Sequence, residues 1–344
     1  MKKSLLLLAA VLMVFVSACS SQGGNEAAGG GNAGGEAPKE AKMMKISITV
    51  PKERSYAKAL YTFAEQVEKE TNGSIDVEIF PDGQLGGDRD NIEGMQLNTV
   101  QGSLIAPGPI ANFSKQFNVF DLPFLFKDAA AAYEVLDGPV GKEILDVLPS
   151  TGLVGLNYWE NGFRQLTNNV REVKTPADVK GLKLRTLENE LHIDLWQTLG
   201  ASATPIPYPE LYLALQQGVV DGQENPPGNI STAKFYEVQK YVTKTGHVYN
   251  PLVFLFSKTF WDGLSDAEKE IVMKAADEAR DHQRELNQEE EQEAYNTMQA
   301  QGMTITELTD EQKQAFQDAM QPIYQKYAPE IGEDIVNKVL EATK

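Results

Sequence analysis

The sequence contains few of the residues that catalytic and metal chemistry most often use. Cys19 is the only cysteine, and the three histidines, His192, His247 and His282, lie far apart. A single cysteine cannot form a disulfide within the chain, and these histidines do not match the ligand spacing of a metal site. Motifs of zinc proteases, serine hydrolases and phosphate-binding loops are absent. We therefore expect no metal, no cofactor and no enzyme activity.

Positive charge is also scarce. The chain of 344 residues has 31 lysines and arginines against 49 acidic residues, which gives a net charge of −18. Removal of a leader that contains Lys2 and Lys3 would leave −20 (−18 − 2). Such a chain repels nucleic acid and anionic lipid. It also repels acidic ligands at long range, so an anion site must be built locally from a few placed donors.

Long apolar runs are limited to residues 5–16, which follow Lys2 and Lys3. This run is too short to span a bilayer, so residues 1–18 are predicted to be a signal peptide. The small residues before Cys19 resemble the lipobox of bacterial lipoproteins, which implies cleavage before Cys19 and acylation of its thiol. An ordinary signal peptide with an incidental cysteine is the alternative.

Residues 19–43 are predicted to be a flexible tether that carries the lipid anchor. They are rich in Gly, Ala and Asn and have almost no apolar residues before residue 43. Gly29, Gly31 and Gly34 match the spacing of a dinucleotide-binding loop, but no strand precedes them and no helix follows. The tether is therefore not a cofactor site.

The remainder reads as an α/β chain. A strand over 46–50, a helix over 56–71 and a strand over 74–80 predict a βαβ unit and hence a parallel sheet. Ser265 and Glu268 form a capping box that opens a helix predicted to run to about Gln301. Further elements are expected at 90–98, 129–148, 309–327 and 330–343 (helices) and at 103–106 and 153–158 (strands).

The central stretch, residues 180–227, predicts strand, helix, helix and strand at 181–186, 188–199, 209–217 and 219–223. Arg185 and Asn225 then lie at the carboxyl ends of two strands, where open α/β sheets bind ligands. An arginine there offers a fork of donors that matches a carboxylate. The alternative is an ion pair between Arg185 and Glu188 or Glu190.

A dense apolar patch covers residues 117–126 and is interrupted by Pro123. Packing in the core is one interpretation of this patch. A lid or a docking face for a partner is the other.

Four motifs give the chain a resemblance to a known family. They are LGASATPIPYPELYLALQQGVVDGQENP within the central stretch, QLGGDR at 84–89, GFRQ at 162–165 and KFYEVQK at 234–240. Together they resemble the extracytoplasmic solute receptors of tripartite ATP-independent periplasmic (TRAP) transporters, the DctP family, over roughly residues 44–330.

The resemblance implies a two-domain, periplasmic-binding-protein-like (type II) α/β fold with a hinge, a central cleft and a long helix that spans both domains. The first domain would comprise 44–161 and 251–290. The second would comprise 162–250 and 291–344.

The resemblance also assigns ligand-binding residues. Arg185 would hold a ligand carboxylate, Asn225 would assist it, Arg164 would contact a second polar group and Tyr208 would pack on the carbon skeleton. Arg164 could instead form an ion pair between domains, and Tyr208 could equally be core. Two acidic residues complete the predicted ligand-binding set, namely Asp88 and Glu160.

The implied function is capture of a small organic acid outside the cytoplasm and delivery to the small and large TRAP membrane subunits, by a monomer anchored to the outer face of the membrane. Pro107 stands where sialic-acid receptors of the family carry an acidic residue, so a C4-dicarboxylate or a sugar acid is expected instead. A lipoprotein that senses a ligand and signals through a membrane partner, or a secreted enzyme on the same fold, are the rival functions.

Overall fold

The computed structural model describes residues 41–344. The predicted signal peptide, Cys19 and the tether up to residue 40 lie outside the described residues. The predicted end of the tether at residue 43 is wrong, because strand β1 already begins at Lys42. Its backbone pairs in parallel with a second strand from Lys42 onward, and the Met44 side chain is fully buried.

Five strands form the first sheet, in the order β2-β1-β3-β10-β4. Their bounds are Lys42–Ser47 (β1), Ile75–Phe80 (β2), Gly102–Ile105 (β3), Leu153–Phe163 (β4) and Tyr249–Ser257 (β10). The β1, β2 and β3 strands are parallel, which confirms the predicted βαβ unit. The expectation of a parallel sheet is wrong for the rest, since β10 runs antiparallel to both β3 and β4.

Six strands form the second sheet, in the order β11-β9-β5-β8-β6-β7. Their bounds are Gln165–Asn168 (β5), Lys183–Thr186 (β6), Ser202–Pro205 (β7), Gly222–Asn225 (β8), Tyr241–Lys244 (β9) and Thr304–Glu307 (β11). The chain passes from the first sheet to the second at Arg164, between β4 and β5. It returns between Lys244 and Tyr249. We call the first sheet with its helices the first lobe and the second sheet with its helices the second lobe.

Twelve α-helices lie in the described part of the chain. They are Ser55–Glu70 (α1), Asp88–Gln96 (α2), Pro107–Ala111 (α3), Ala129–Leu136 (α4), Pro139–Leu145 (α5), Glu190–Thr198 (α6), Leu211–Gln216 (α7), Pro227–Thr232 (α8), Lys258–Asp262 (α9), Asp266–Ala300 (α10), Asp310–Ile331 (α11) and Glu333–Ala342 (α12). Short 3₁₀ turns fill several connections, at Lys115–Asp121, Leu148–Thr151, Pro176–Val179, Tyr208–Glu210 and Phe235–Glu237.

The long helix predicted from the Ser265 capping box is confirmed as α10. The Ser265 hydroxyl accepts from the Glu268 amide, and the Glu268 carboxylate accepts from the Ser265 amide. Its 35 residues give a length of about 52 Å at 1.5 Å per residue. The helix packs on α1 and β4 of the first lobe and on α8 and β11 of the second. It therefore joins the two lobes.

The single helix predicted over 129–148 is wrong. The chain forms α4 and α5, separated by Asp137 and Gly138, and Pro139 opens α5 because proline cannot donate the hydrogen bond that a continuous helix needs. The apolar patch at 117–126 packs in the core: Phe117, Val119, Phe120, Leu122, Leu125 and Phe126 are all buried, so the alternative of a lid is not borne out.

Two large apolar clusters and one smaller cluster support these layers. One large cluster joins the first sheet to α1 and the first half of α10. The other runs beneath both sheets and includes α11 and the 3₁₀ turn at Lys115–Asp121. The smaller cluster packs the second half of α10 on the second lobe. The carboxyl ends of β6 and β8 are thus held on a rigid base.

Candidate functional site

Strands β6 and β8 set the position of Arg185 and Asn225. The two strands are parallel, with Leu184 opposite Gly222, so their carboxyl ends share one edge of the second sheet. On its other side β8 pairs with β5, and Gly222 allows that close approach, since a Cβ there would lie 2.1 Å from the carbonyl oxygen of Thr167. Asn225 is the last residue of β8, as predicted, whereas Arg185 is followed by Thr186 before β6 ends.

A small cavity lies between the lobes at this edge. Its volume is about 20 Å³, counted as the space open to the centre of a water molecule. An organic acid is larger, so a ligand can enter only if the lobes separate or the lining side chains move. The lining is mostly polar: Thr49, Tyr56, Asp88, Asn161, Arg164, Tyr208, Asn225, Asn229 and Asn250, with Leu104, Ala106, Leu187 and Leu252.

Arg185 is not among the residues that line this cavity, but it lies close to Arg164 and Asp88, which are, and its side chain is almost completely buried. Nε donates to the carbonyl oxygen of Ile206 at 2.7 Å, while Nη1 has no hydrogen-bond partner among the described residues. Burial, and then the neighbouring Arg164, lower the pKa of Arg185 to about 10, so the group stays charged at neutral pH. The ion pairs with Glu188 or Glu190 that were the alternative are not formed in the described part of the chain.

Arg164 lines the cavity, and its guanidinium is already paired. Nε and Nη2 donate to both carboxylate oxygens of Glu224, the second at 2.8 Å, and Nη1 donates to Asn250 Oδ1 at 3.1 Å. Burial opposes ionisation of Glu224, but Arg164 and His247 outweigh it and hold the pKa of this carboxyl well below its usual range. The pair joins β8 to the crossing between the sheets, so Arg164 has little capacity left for a ligand anion.

Asn250 presents the second free donor of the cavity. Its Oδ1 accepts from Arg164 Nη1 and from Asn161 Nδ2, which fixes the orientation of the amide. The Nδ2 group of Asn250 is buried and has no partner among the described residues. A buried donor without an acceptor costs free energy on the order of 1–3 kcal/mol, so this amide and Arg185 Nη1 are poised to receive oxygen atoms.

Asn225 and Tyr208 both line the cavity. The Asn225 amide donates to Gln223 Oε1 at 2.5 Å and accepts from Asn229 Nδ2 at 3.2 Å. Tyr208 lies in the 3₁₀ turn at Tyr208–Glu210 and is half-buried. The centroid of its ring lies 6.0 Å from that of the Phe235 ring.

The structure places only one of the two predicted acidic residues, Asp88, in the lining of the cavity. Asp88, the first residue of α2, lines the cavity, and burial raises the pKa of its carboxyl to about 6 although Arg185 opposes the rise. Glu160 lies outside the lining. Its carboxylate accepts from the Tyr133 hydroxyl at 2.7 Å, on the side of β4 that faces α4 and α10. A ligand contact by Glu160 remains a prediction.

Arg54 is a residue of this region that the sequence analysis did not identify. It is fully buried, immediately before α1, and it hydrogen-bonds to Asn161 and Asn229, two residues of the lining. The surrounding sequence PKERSY has no motif that marks it. The amides Asn161, Asn229 and Asn250 were missed for the same reason, since single asparagines carry no sequence signal.

The arrangement suits anion binding, because Arg185 Nη1 and Asn250 Nδ2 are buried donors without a partner among the described residues. Within residues 41–344, no cluster of three or more His, Cys, Asp or Glu side chains could hold a metal ion. His192 and His247 are buried in the core and His282 is exposed. Among the described helices, none is both long and apolar enough to cross a bilayer.

Comparison with known proteins gives consistent matches over this fold. The model of the bacterial extracellular solute-binding proteins of family 7, DctP, matches residues 46–330. The C4-dicarboxylate-binding periplasmic protein DctP of Rhodobacter capsulatus is 37% identical over 309 residues, which cover 88% of this chain and 92% of that protein.

Solved structures extend the match to three dimensions. The sugar acid binding protein of Advenella mimigardefordensis, in complex with galactonate, superposes with a TM-score of 0.86 and 38% identity, over 88% of this chain and 98% of the other. A TRAP periplasmic solute binding protein of Sulfurospirillum deleyianum with bound succinate gives a TM-score of 0.84 and 33% identity, over 88% and 99%.

Proposed function

The chain belongs to the bacterial extracellular solute-binding proteins of family 7, and on this premise we propose that its ligand is a sugar acid with one carboxylate and several hydroxyl groups. The family consists of solute receptors of TRAP transporters, which bind carboxylates and work with membrane subunits. The protein is therefore an extracytoplasmic transport receptor and not an enzyme. The family does not favour the alternative of a sensing lipoprotein.

The charge count at the cavity carries the choice of ligand. Arg185 has a free Nη1, whereas Arg164 is neutralised by Glu224, and no lysine lines the cavity. A dicarboxylate would leave its second carboxylate without a cation, at a substantial desolvation cost. A sugar acid needs only one cation.

The rest of the lining fits hydroxyl groups. Asn161, Asn225, Asn229 and Asn250 present amides, and Asp88 presents a carboxyl that can accept from a hydroxyl. Each sugar hydroxyl both donates and accepts, so an amide can bind it through either its oxygen or its NH₂ group. Tyr208 offers an aromatic face for the carbon chain. We assign the carboxylate to Arg185 and Asn225 through charge-assisted hydrogen bonds.

Closure of the lobes around the ligand would complete the site. Contacts that exist only in the closed form shift the population toward it. A closed receptor would then dock on the small and large TRAP membrane subunits. We propose that acylated Cys19 keeps the receptor at the outer face of the membrane, and that it acts as a monomer.

A thermal-shift comparison tests the ligand class. Galactonate, succinate and galactitol form a set in which the polyol chain and the carboxylates are varied separately. A ligand at 100 times its dissociation constant adds about 2.7 kcal/mol to the free energy of unfolding. We expect galactonate to stabilise and galactitol, which lacks a carboxylate, to have no effect. Stabilisation by succinate alone would show a dicarboxylate receptor, and no response to any organic acid would refute the proposal.

A further inference from the structure

Arg54 lies beside the cavity and is hydrogen-bonded to residues of both lobes through all three nitrogens of its guanidinium group. It belongs to the first lobe, at the residue before α1, and its side chain is fully buried. Nε donates to Asn229 Oδ1 at 2.6 Å, and Nη2 donates to the backbone oxygen of Asn161 at 2.9 Å. Nη1 donates to Asn287 Oδ1 at 2.8 Å and to Glu290. We propose that Arg54 is the positioning residue that latches the closed form.

The partners come from three parts of the fold. Asn161 lies on β4 of the first lobe, Asn229 lies on α8 of the second lobe, and Glu290 lies in the second half of the joining helix α10. The Arg54–Asn229 bond therefore crosses from one lobe to the other. Glu290 supplies the opposite charge that a buried guanidinium requires, and it also accepts from the Ser55 amide at 3.1 Å.

Arg54 is connected to Asn225, a predicted ligand contact, through one residue, Asn229. Because Arg54 Nε can only donate, Asn229 must present Oδ1 to it and Nδ2 to the other side. Asn229 Nδ2 then donates to Asn225 Oδ1 at 3.2 Å, and Asn225 Nδ2 donates to Gln223 Oε1. The direction of the Asn225 amide, which the proposed function places on the ligand, is thus set by Arg54.

Gly228 makes room for the guanidinium in the closed form. A Cβ at this position would lie 2.5 Å from Arg54 Nη1 and 2.6 Å from Cζ, closer than real Cβ contacts. Gly228 is on α8 of the second lobe and Arg54 is in the first lobe, so this close approach is a contact between the lobes. The backbone of Gly228 is not in the left-handed region, and alanine can adopt its conformation. The glycine serves the approach of Arg54.

Lysine cannot replace arginine in this role. A single ammonium group has three donors at one point, whereas the guanidinium directs five N–H groups to separate acceptors. Lysine could keep the charge pair with Glu290 but would lose the bonds to Asn229 or Asn161. Closure would then lose a charge-assisted bond, which corresponds to a roughly tenfold to hundredfold change in its equilibrium.

The test compares Gly228→Ala with Gly94→Ala, in the full chain with a Cys19→Ala background. Gly94 is the matched control, since it is a helical glycine whose added Cβ would meet only Thr99 and Val100 of its own lobe. Fluorophores on Glu65→Cys and Gln217→Cys, both exposed and on different lobes, report the distance between the lobes. Dissociation of galactonate is followed in parallel.

We expect Gly228→Ala to lengthen the distance between lobes and to release galactonate at least about tenfold faster, with Gly94→Ala unchanged in both. Arg54→Lys should behave like Gly228→Ala, and Arg284→Lys, at a buried arginine whose partners Asp137 and Tyr158 lie in the first lobe, should not. Unchanged distance and release in Gly228→Ala would overturn the latch. This inference builds on the proposed function. If galactonate failed to bind the wild type, only the proposed ligand class would be overturned. The distance between the lobes, measured without ligand, would still test the latch.

Discussion

Replacement of Arg185 by glutamine is the most direct test of the site. Arg185 Nε donates to the Ile206 carbonyl oxygen at 2.7 Å. The amide of a glutamine can keep this hydrogen bond, but it carries no charge. A ligand carboxylate would lose two parallel charge-assisted bonds and remain buried without a cation. At about 1.5–3 kcal/mol for each such bond, the loss is about 3 kcal/mol or more, and affinity should fall at least about 100-fold.

The same substitution should leave the ligand-free fold intact. Arg185 is buried without an ion pair in the described residues, and burial lowers its pKa to about 10, so its charge destabilises the fold. Removing it should keep or raise the melting temperature. Arg171→Gln is the control, because Arg171 is an exposed arginine of the same lobe.

Titration calorimetry with the acid found by thermal shift measures the first effect, and thermal unfolding without ligand measures the second. Near wild-type affinity in Arg185→Gln would refute the assignment of the carboxylate. A large loss of ligand-free stability would show instead that Arg185 is structural. Arg185→Lys should bind with intermediate affinity, since it keeps the charge but not the fork.

Three further predictions concern charge and anchoring. The folded-state pKa of Asp88, about 6, lies above the ordinary value of 3.8, so the stabilisation from its protonated form is complete below pH 3.8 and is lost as the pH rises through about 6. Affinity for the acid should fall over the same rise, and calorimetry between pH 5 and 7 should show no such step in Asp88→Asn. Glu224 has the opposite sign: its folded-state pKa lies below 4.5, so its stabilisation is present above pH 4.5 and is lost as the pH falls below that value. Glu224→Gln should lower the free energy of unfolding by about 3–5 kcal/mol in urea titrations at pH 7, because Arg164 stays buried without its partner; a loss below about 1 kcal/mol would contradict the pairing. Cys19→Ala should move the receptor from the membrane to the soluble fraction, and retention on the membrane would argue against acylation.

Local patterns predicted those parts of the fold that local forces determine. The capping box at Ser265 and the glycine after the last turn bracket α10 to within a residue at each end. Asn225 was placed at a strand end, although the strand predicted at 219–223 runs from Gly222 to Asn225. By contrast, strand β1 begins four residues before the predicted start at Ile46, since its extra length comes from pairing with β2 and not from its own alternation.

Long-range contacts explain what the sequence did not predict. Strand β10 is antiparallel because the chain re-enters the first sheet from the second lobe, and no local pattern encodes that direction. Family resemblance named the residues around the cavity, but it did not show that Arg164 is already paired with Glu224. Arg54 escaped notice because its partners lie between 107 and 236 positions away along the chain, apart from Ser55.

The continuous helix α10 has a mechanical consequence. A rod of about 52 Å that is fastened to both lobes cannot remain straight while they rotate apart, so part of the work of opening is stored as elastic bending. Glu289 and Glu293, exposed and one turn apart in the second half of the helix, repel each other and weaken it there. Added salt screens that repulsion, so the resting balance between open and shut receptor should respond to ionic strength even when no solute is present.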